Sequence, residues 1–325
     1  MKKMRVFLTR NIHDFALSEL KKKYEIEIHS GKIPIPKKTL SSKIKNIDGL
    51  ICFPYDKIDD DLLNKAKNLK VISTYSVGFD HIDIENAKKK KIRVGYTPEV
   101  LTDATADLAF SLILDTMRRV SEGDRIVRKG DWKQIFGAHD YVGTDLQGKT
   151  LGIFGLGRIG STVAKRAKSF EMKIIYHNRK PISKTKAKRL GVEYVSFEEL
   201  IRQSDVISIH VPHNKDTNQL FNKKIFQKMK NTSFVINTAR GKIINEKDLM
   251  FALKKKLIAG AGLDVFESEP ISKDHPFTKF QNIILAPHIG SSTKETREKM
   301  AQITVENLNL GINEKNPRFS VGYED

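Results

Sequence analysis

Gly155-Leu156-Gly157-Arg158-Ile159-Gly160 carries three glycines in the pattern GxGxxG, directly after the apolar run Leu151-Gly152-Ile153-Phe154 and at the start of a helical stretch from Ile159 to Ser169. Between a strand and a helix, that spacing suits a pyrophosphate. The first glycine permits a tight turn, the second lets the backbone approach the phosphates, and the third lets helix and strand pack closely. The anion then rests at the positive helix end. About 20 residues further on, a unit that takes NAD usually places an acid on the ribose 2′-hydroxyl. Here Asn178 occupies that place, followed by Arg179 and Lys180. A carboxylate would repel a 2′-phosphate, whereas this amide and two cations suit one. NADP(H) is therefore the expected preference, with NAD(H) also usable; a plain surface basic cluster is the competing explanation. Metal chemistry has less support. His81, His139, His210, His213 and Asp140 lie in unrelated loops and strand ends, without HExxH or comparable ligand spacing, and no metal is expected. His13, His29 and His275 read as surface residues.

The elements that must position this turn follow from short apolar runs alternating with helical patterns. Candidate strands are Arg5 to Leu8, Tyr24 to Ile28, Gly49 to Cys52, Val71 to Thr74 and Ile92 to Val94. After Thr97-Pro98 a long, mainly apolar helix starts near Asp103 and runs to Arg118-Arg119, apolar enough to pack between domains or subunits. A loop from Gly130 to Gly143 follows, and the alternation restarts at Leu151. Later strands are Lys173 to Tyr176, Val206 to His210, Phe234 to Asn237, Gly260 to Asp264 and Ile283 to Leu285, before an amphipathic helix from Lys294 to Leu310. Repeated βα units predict an α/β protein of two doubly wound parallel sheets, with ligands at the carboxyl ends of the strands.

A length of 325 residues, 39% hydrophobic and 30% charged, suits one large core or two ordinary ones. The net charge of +19 points either to a polyanionic partner or to a lysine-rich solvated surface. Lys21 to Lys23, Lys88 to Lys91 and Lys254 to Lys256 fall where helices should end and oppose their dipoles. No aromatic residues interleave them as a single-strand platform requires, so a nucleic-acid partner is not expected. Cys52 is the single cysteine, set in an apolar run, which excludes a disulfide framework and a thiolate metal site. Met1 to Arg10 lacks a signal-peptide core and no window reaches a membrane-spanning length, so a cytoplasmic protein without membrane contact is expected.

Four motifs in order resemble the D-isomer-specific 2-hydroxyacid dehydrogenase family. They are Leu156 to Gly160, Asn237-Thr238-Ala239-Arg240-Gly241, Ala261 to Pro270 and Ala286-Pro287-His288-Ile289-Gly290. The similarity runs through nearly the whole chain, and Tyr75 to Asp80 with Tyr96 to Ala109 most resemble glyoxylate and hydroxypyruvate reductases.

The resemblance implies that Arg240, Glu269 and His288 are the catalytic set. An arginine fork at the end of the strand Phe234 to Asn237 can hold a keto acid's carboxylate and polarise its ketone, although a surface arginine capping a helix fits the same position. His288 is the natural proton donor near neutral pH, with Glu269 orienting it and favouring the cation; by residue type alone it equally fits a loop histidine after Pro287. The resemblance further gives the substrate carboxylate to the backbone of Val77 and Gly78, where a turn before the helix at Asp83 is the alternative. It places Thr238, Ala239, Asp264 and Gly290 beside the cofactor; Asp264 suits the nicotinamide carboxamide or a helix cap.

Implied too are a Rossmann domain at 98–287 and a flavodoxin-like substrate domain from 1–97 and 288–325, closing over a cleft that holds the active site. A homodimer arm is implied at about 103–148, with the loop from Gly130 to Gly148 short for such reductases. Because that arm can reach a partner's active site, its length bears on substrate preference. The expected activity is reduction of glyoxylate or hydroxypyruvate to the D-2-hydroxy acid. The alternatives are a D-lactate or broader 2-keto-acid dehydrogenase, or a non-catalytic NAD(H)-binding co-repressor. A chain stopping near Asp325 leaves no room for the regulatory domain of 3-phosphoglycerate dehydrogenases, though short forms exist. Formate oxidation has no use for the Glu269–His288 proton pair.

Overall fold

The computed structural model describes residues 3–322. In chain order its strands are β1 (Arg5–Leu8), β2 (Glu25–Ile28), β3 (Gly49–Cys52), β4 (Val71–Thr74), β5 (Arg93–Gly95), β6 (Thr150–Phe154), β7 (Lys173–His177), β8 (Glu193–Tyr194), β9 (Val206–Ile209), β10 (Phe234–Asn237), β11 (Gly260–Leu263), β12 (Ile283–Leu285) and β13 (Ser320–Val321). They form two sheets, and the chain divides into two compact units: one runs through Leu101 and resumes at Ser291, the other spans Thr102–Gly290.

The first unit has the order β13-β5-β4-β3-β1-β2, with β1 to β5 parallel and only the short β13 antiparallel. Without β13 this is the flavodoxin-like order 2-1-3-4-5. β3 and β4 are buried along their whole length, as strands covered by helices on both faces must be. The helix Lys294–Ile312 crosses β3, β4 and β5, and a Cβ on Gly311 would stand 2.3 Å from the Val71 side chain, so a glycine allows that approach.

The second unit is an entirely parallel sheet in the order β12-β11-β10-β9-β6-β7-β8. Counted from β6, it is the Rossmann order with a seventh strand, and the order reverses between β6 and β9. The long helix Thr102–Arg118 lays Ala109, Leu112, Ile113 and Met117 on its own unit's sheet beside β10 and β11 and against the helix Arg158–Ser169. Those residues of its apolar face are thus packed within the unit. A second helix, Val120–Lys129, buries no residue, and Val120, Val127, Trp132, Ile135, Phe136 and Val142 are exposed on it and beyond it.

The lysine runs sit where the dipole argument puts them: Lys21 to Lys23, Lys88 with Lys89, and Lys254 lie in the last turns of their helices. Cys52 is buried, and burial pushes its thiol pKa up. Among the described residues no helix is long and apolar enough to cross a membrane, and no cluster of metal-ligating side chains is present.

The unit boundaries lie a few residues beyond Thr97 and Pro287, where the sequence reading placed them. The second shift has a chemical consequence, because His288 stays in the same unit as Arg240 and Glu269. The cause is local. Asp264 accepts the backbone N–H groups of Ile289 and Gly290, and the Thr105 hydroxyl donates to the Gly290 carbonyl at 3.1 Å.

Candidate active site

β6 ends at Phe154 and delivers the glycine turn at the point where strand order reverses. Gly155 has φ +101°, and a Cβ there would stand 2.7 Å from the His210 carbonyl carbon at the end of β9. A Cβ on Gly160 would stand 2.4 Å from the Gly155 carbonyl oxygen. On Gly157 it would meet nothing within 4 Å. Two of the glycines are therefore demanded by the protein itself, and the middle one keeps open space for a ligand. Gly157 caps the helix Arg158–Ser169, so no side chain of the cap residue stands between the positive helix end and a ligand.

Asn178 directly follows β7, beside the turn. Its Oδ1 accepts the Leu156 N–H at 2.6 Å, tying the end of β7 into the turn, while Arg179 and Lys180 are exposed just beyond. With Oδ1 so engaged, the amide's two N–H donors are the part of Asn178 suited to an anion.

β10 positions the arginine. Asn237, at the strand's last position, accepts the Ala239 N–H at 3.0 Å and donates to the Arg240 carbonyl at 2.9 Å, which fixes the Thr238–Arg240 turn. Arg240 Nη1 donates to the Ala239 carbonyl at 2.8 Å, and the Thr238 hydroxyl is buried without a partner among the described residues. Gly241 packs so closely on the next loop that a Cβ would lie 1.9 Å from the Phe266 carbonyl carbon. Phe266 donates its N–H to Glu269 Oε1 at 2.9 Å, and Glu269 Oε2 lies 2.6 Å from His288 Nδ1. A carboxylate only accepts, so Nδ1 carries a hydrogen and a proton for transfer belongs on Nε2. Arginine turn, carboxylate and imidazole are thus linked through contacts within one unit.

His288 has φ +55°, the left-handed region that non-glycine residues rarely adopt. What holds it there is Asp264. Asp264 is 1% exposed, and its two oxygens accept the Ile289 and Gly290 N–H groups at 2.7 and 2.8 Å. It caps no helix; each oxygen holds one of the two residues after His288 and keeps a further lone pair. Burial pushes the Asp264 carboxyl pKa up, with those N–H groups and His288 opposing the shift. Gly290 has its N–H on Asp264 and its carbonyl on Thr105, so both backbone groups are engaged. Sequence reasoning had no signal for the clamp, because Asp264 and Ile289 are strangers in the chain. The role of Asn237 was within reach, since an amide before a tight turn commonly bonds its own backbone.

In the first unit Val77 and Gly78 follow β4, are half-buried, and donate their backbone N–H groups to no acceptor among the described residues.

Residues 110–290 match the family model described as D-isomer specific 2-hydroxyacid dehydrogenase, NAD binding domain. The chain is 48% identical over 311 residues to the glyoxylate reductase of Thermococcus litoralis, covering 94% of this chain and 93% of that protein. Its fold is similar to the crystal structure of the TT0316 protein from Thermus thermophilus, with TM-score 0.91, 42% identity, and coverage of 98% of this chain and 100% of that one. It is also similar to the NADPH-dependent glyoxylate/hydroxypyruvate reductase of Sinorhizobium meliloti solved with NADP and malonate, with TM-score 0.85, 28% identity, and coverage of 99% and 97%.

Proposed function

The chain belongs to the D-isomer specific 2-hydroxyacid dehydrogenase family, and we propose that it reduces glyoxylate and hydroxypyruvate to the D-2-hydroxy acid, using NADP(H) in preference to NAD(H). The observation that carries this reading is the 2.6 Å contact of Glu269 with His288 Nδ1, on a loop packed against the Arg240–Gly241 turn. A paired imidazole beside an arginine is the equipment for reducing a ketone that carries a carboxylate.

Arg240 holds the carboxylate and polarises the ketone with its fork of donors. Val77 and Gly78 add their two backbone N–H groups to the carboxylate. A reduced nicotinamide, when bound, supplies the hydride. As the ketone carbon is reduced, His288 gives its Nε2 proton to the ketone oxygen, and Glu269 steadies the imidazole through Nδ1. Gly155, Leu156, Gly157, Arg158, Ile159 and Gly160 cradle the pyrophosphate, and Thr238, Ala239 and Gly290 border the nicotinamide. Asn178, Arg179 and Lys180 receive the 2′-phosphate. Asp264 acts on this chemistry through the His288 loop.

The exposed Trp132, Ile135, Phe136 and Val142, beyond a helix that buries nothing, support a homodimer in which a second copy covers them. A panel of 2-keto acids against both cofactors, read as kcat/KM, tests the whole reading. The expected ranking puts glyoxylate and hydroxypyruvate above pyruvate and NADPH above NADH. Activity confined to pyruvate, or higher kcat/KM with NADH, overturns the corresponding part.

A further inference from the structure

Beneath the Val77–Gly78 turn runs a line of polar groups that the chemistry above leaves unused. Thr74, the last residue of β4, has its Oγ1 2.8 Å from Ser76 Oγ and 3.1 Å from His81 Nε2. Ser76 Oγ donates to the Gly78 carbonyl at 2.6 Å. Thr74 and Ser76 are buried, so bulk water does not compete for these bonds.

A hydroxyl owns one hydrogen, and this settles the direction of every bond in the line. A carbonyl only accepts, so Ser76 spends its hydrogen on Gly78. Ser76 must then accept from Thr74, and Thr74, its own hydrogen spent, must accept from His81. The ring hydrogen therefore sits on Nε2. The other tautomer would make Nε2 an acceptor competing with Ser76 for the single Thr74 hydrogen, leaving one of two buried contacts as a lone-pair clash. Cys52 Sγ, 3.9 Å from the same ring nitrogen and also within reach of the Thr74 hydroxyl, is held as a neutral thiol by burial and is a weaker acceptor than Ser76 for the Thr74 hydrogen.

We propose that His81, Thr74 and Ser76 form a one-way hydrogen-bond relay that pins the Gly78 peptide, and that they are positioning residues for the two N–H groups assigned to the substrate carboxylate. The relay has work to do because glycine has no side chain to restrict its backbone. The Ser76-to-Gly78 bond closes a small ring whose backbone contains both the Val77 and the Gly78 N–H groups, for which the described residues offer no acceptor, and so restrains the direction in which they point. Preorganised donors hold an anion better than donors that must first be ordered. The inference rests on the assignment of Val77 and Gly78 to the carboxylate.

The tests are kinetic and spectroscopic. Ser76→Ala removes the bond to Gly78, and the glyoxylate KM should rise roughly three- to tenfold, the equivalent of one net hydrogen bond. The cofactor KM and kcat should move by less than about twofold, since carboxylate binding is shared by ground state and transition state. Ser76→Thr keeps a hydroxyl and should restore most of the glyoxylate KM. Should Ser76→Ala fold poorly, Thr74→Val leaves Ser76 its carbonyl but removes its donor, and should give a smaller rise. Independently of activity, nitrogen-15 NMR of the histidine rings, with His81 assigned through His81→Gln, should show a hydrogen on Nε2. An unchanged glyoxylate KM in both Ser76→Ala and Thr74→Val overturns the relay, and so does an Nδ1–H tautomer. Failure of the wild-type enzyme to reduce any 2-keto acid would remove the proposed function instead, leaving the ring tautomer to decide the relay.

Discussion

Replacing Asp264 separates a clamp from a ligand. Its two oxygens hold the Ile289 and Gly290 N–H groups at 2.7 and 2.8 Å in a site that is 1% exposed. Asp264→Ala strands both donors. Hydrogen bonds to a charged group contribute about 1.5–3 kcal/mol each, so the gross loss is about 3–6 kcal/mol. The raised carboxyl pKa shows that the site disfavours the charge, and removing it returns part of that loss. A net destabilisation of about 2–4 kcal/mol remains. The catalytic effect comes through His288, whose left-handed backbone at φ +55° costs about 1–2 kcal/mol that the clamp offsets. With the clamp gone the loop relaxes, and the reactive conformation loses population by roughly 5–30-fold. Steady-state kcat/KM for glyoxylate should fall by about that factor, while NADPH affinity by fluorescence titration changes little. Asp264→Asn, which keeps one acceptor and turns an amide toward the other N–H, should fall between. If Asp264 instead served the nicotinamide carboxamide, the pattern would invert: weakened NADPH binding with kcat at saturating cofactor nearly intact. That result refutes the clamp.

Removing the proton donor itself should cost more: His288→Ala should lower kcat by about 10²–10⁴, and a near-normal rate sinks the assignment. Gly160→Ala puts a methyl 2.4 Å from a backbone oxygen that cannot swing aside, so cofactor KM should rise at least tenfold, with about 1–3 kcal/mol lost from stability. Arg179→Ala with Lys180→Ala should raise the NADPH KM and leave the NADH KM alone; equal rises with both would reduce the pair to surface charge. His210, half-buried with its Nε2 2.8 Å from the Ser208 hydroxyl, has its pKa pushed down by burial from 6.5 to about 4. Between those values the unfolded chain takes a proton that the folded one refuses, so this contribution is whole above 6.5 and is lost as the pH falls toward 4. The gap corresponds to a ceiling of about 3 kcal/mol, and urea melts of wild type and His210→Asn at several pH values should differ in slope over that window.

What the sequence made legible was what is local. Gly155 to Gly160 could be read as a phosphate turn because each glycine answers to neighbours a few residues away, and the strands stood out as buried runs too short for helices. The two-residue strands β8 and β13 escaped, since Glu193-Tyr194 and Ser320-Val321 pair only at sheet edges and carry no apolar run of their own. The same limit governed the site. Motifs supplied Arg240, Glu269 and His288 as residue types, but the forces that orient them act across the fold. Gly241 must be a glycine because Phe266 lies against it, and Glu269 is aimed by the Phe266 N–H as well as by His288. Asp264 offered a choice between carboxamide and cap, and the structure adds a clamp on the His288 loop that no spacing predicts. A carboxylate facing two backbone N–H groups is a tertiary fact, visible only once β11 and the loop after β12 lie side by side. Residues that touch substrate can thus be read from types and order, whereas those that hold them in place appear only with the fold. The Asp264 and Ser76 variants therefore probe the part of this enzyme that its motifs leave unwritten.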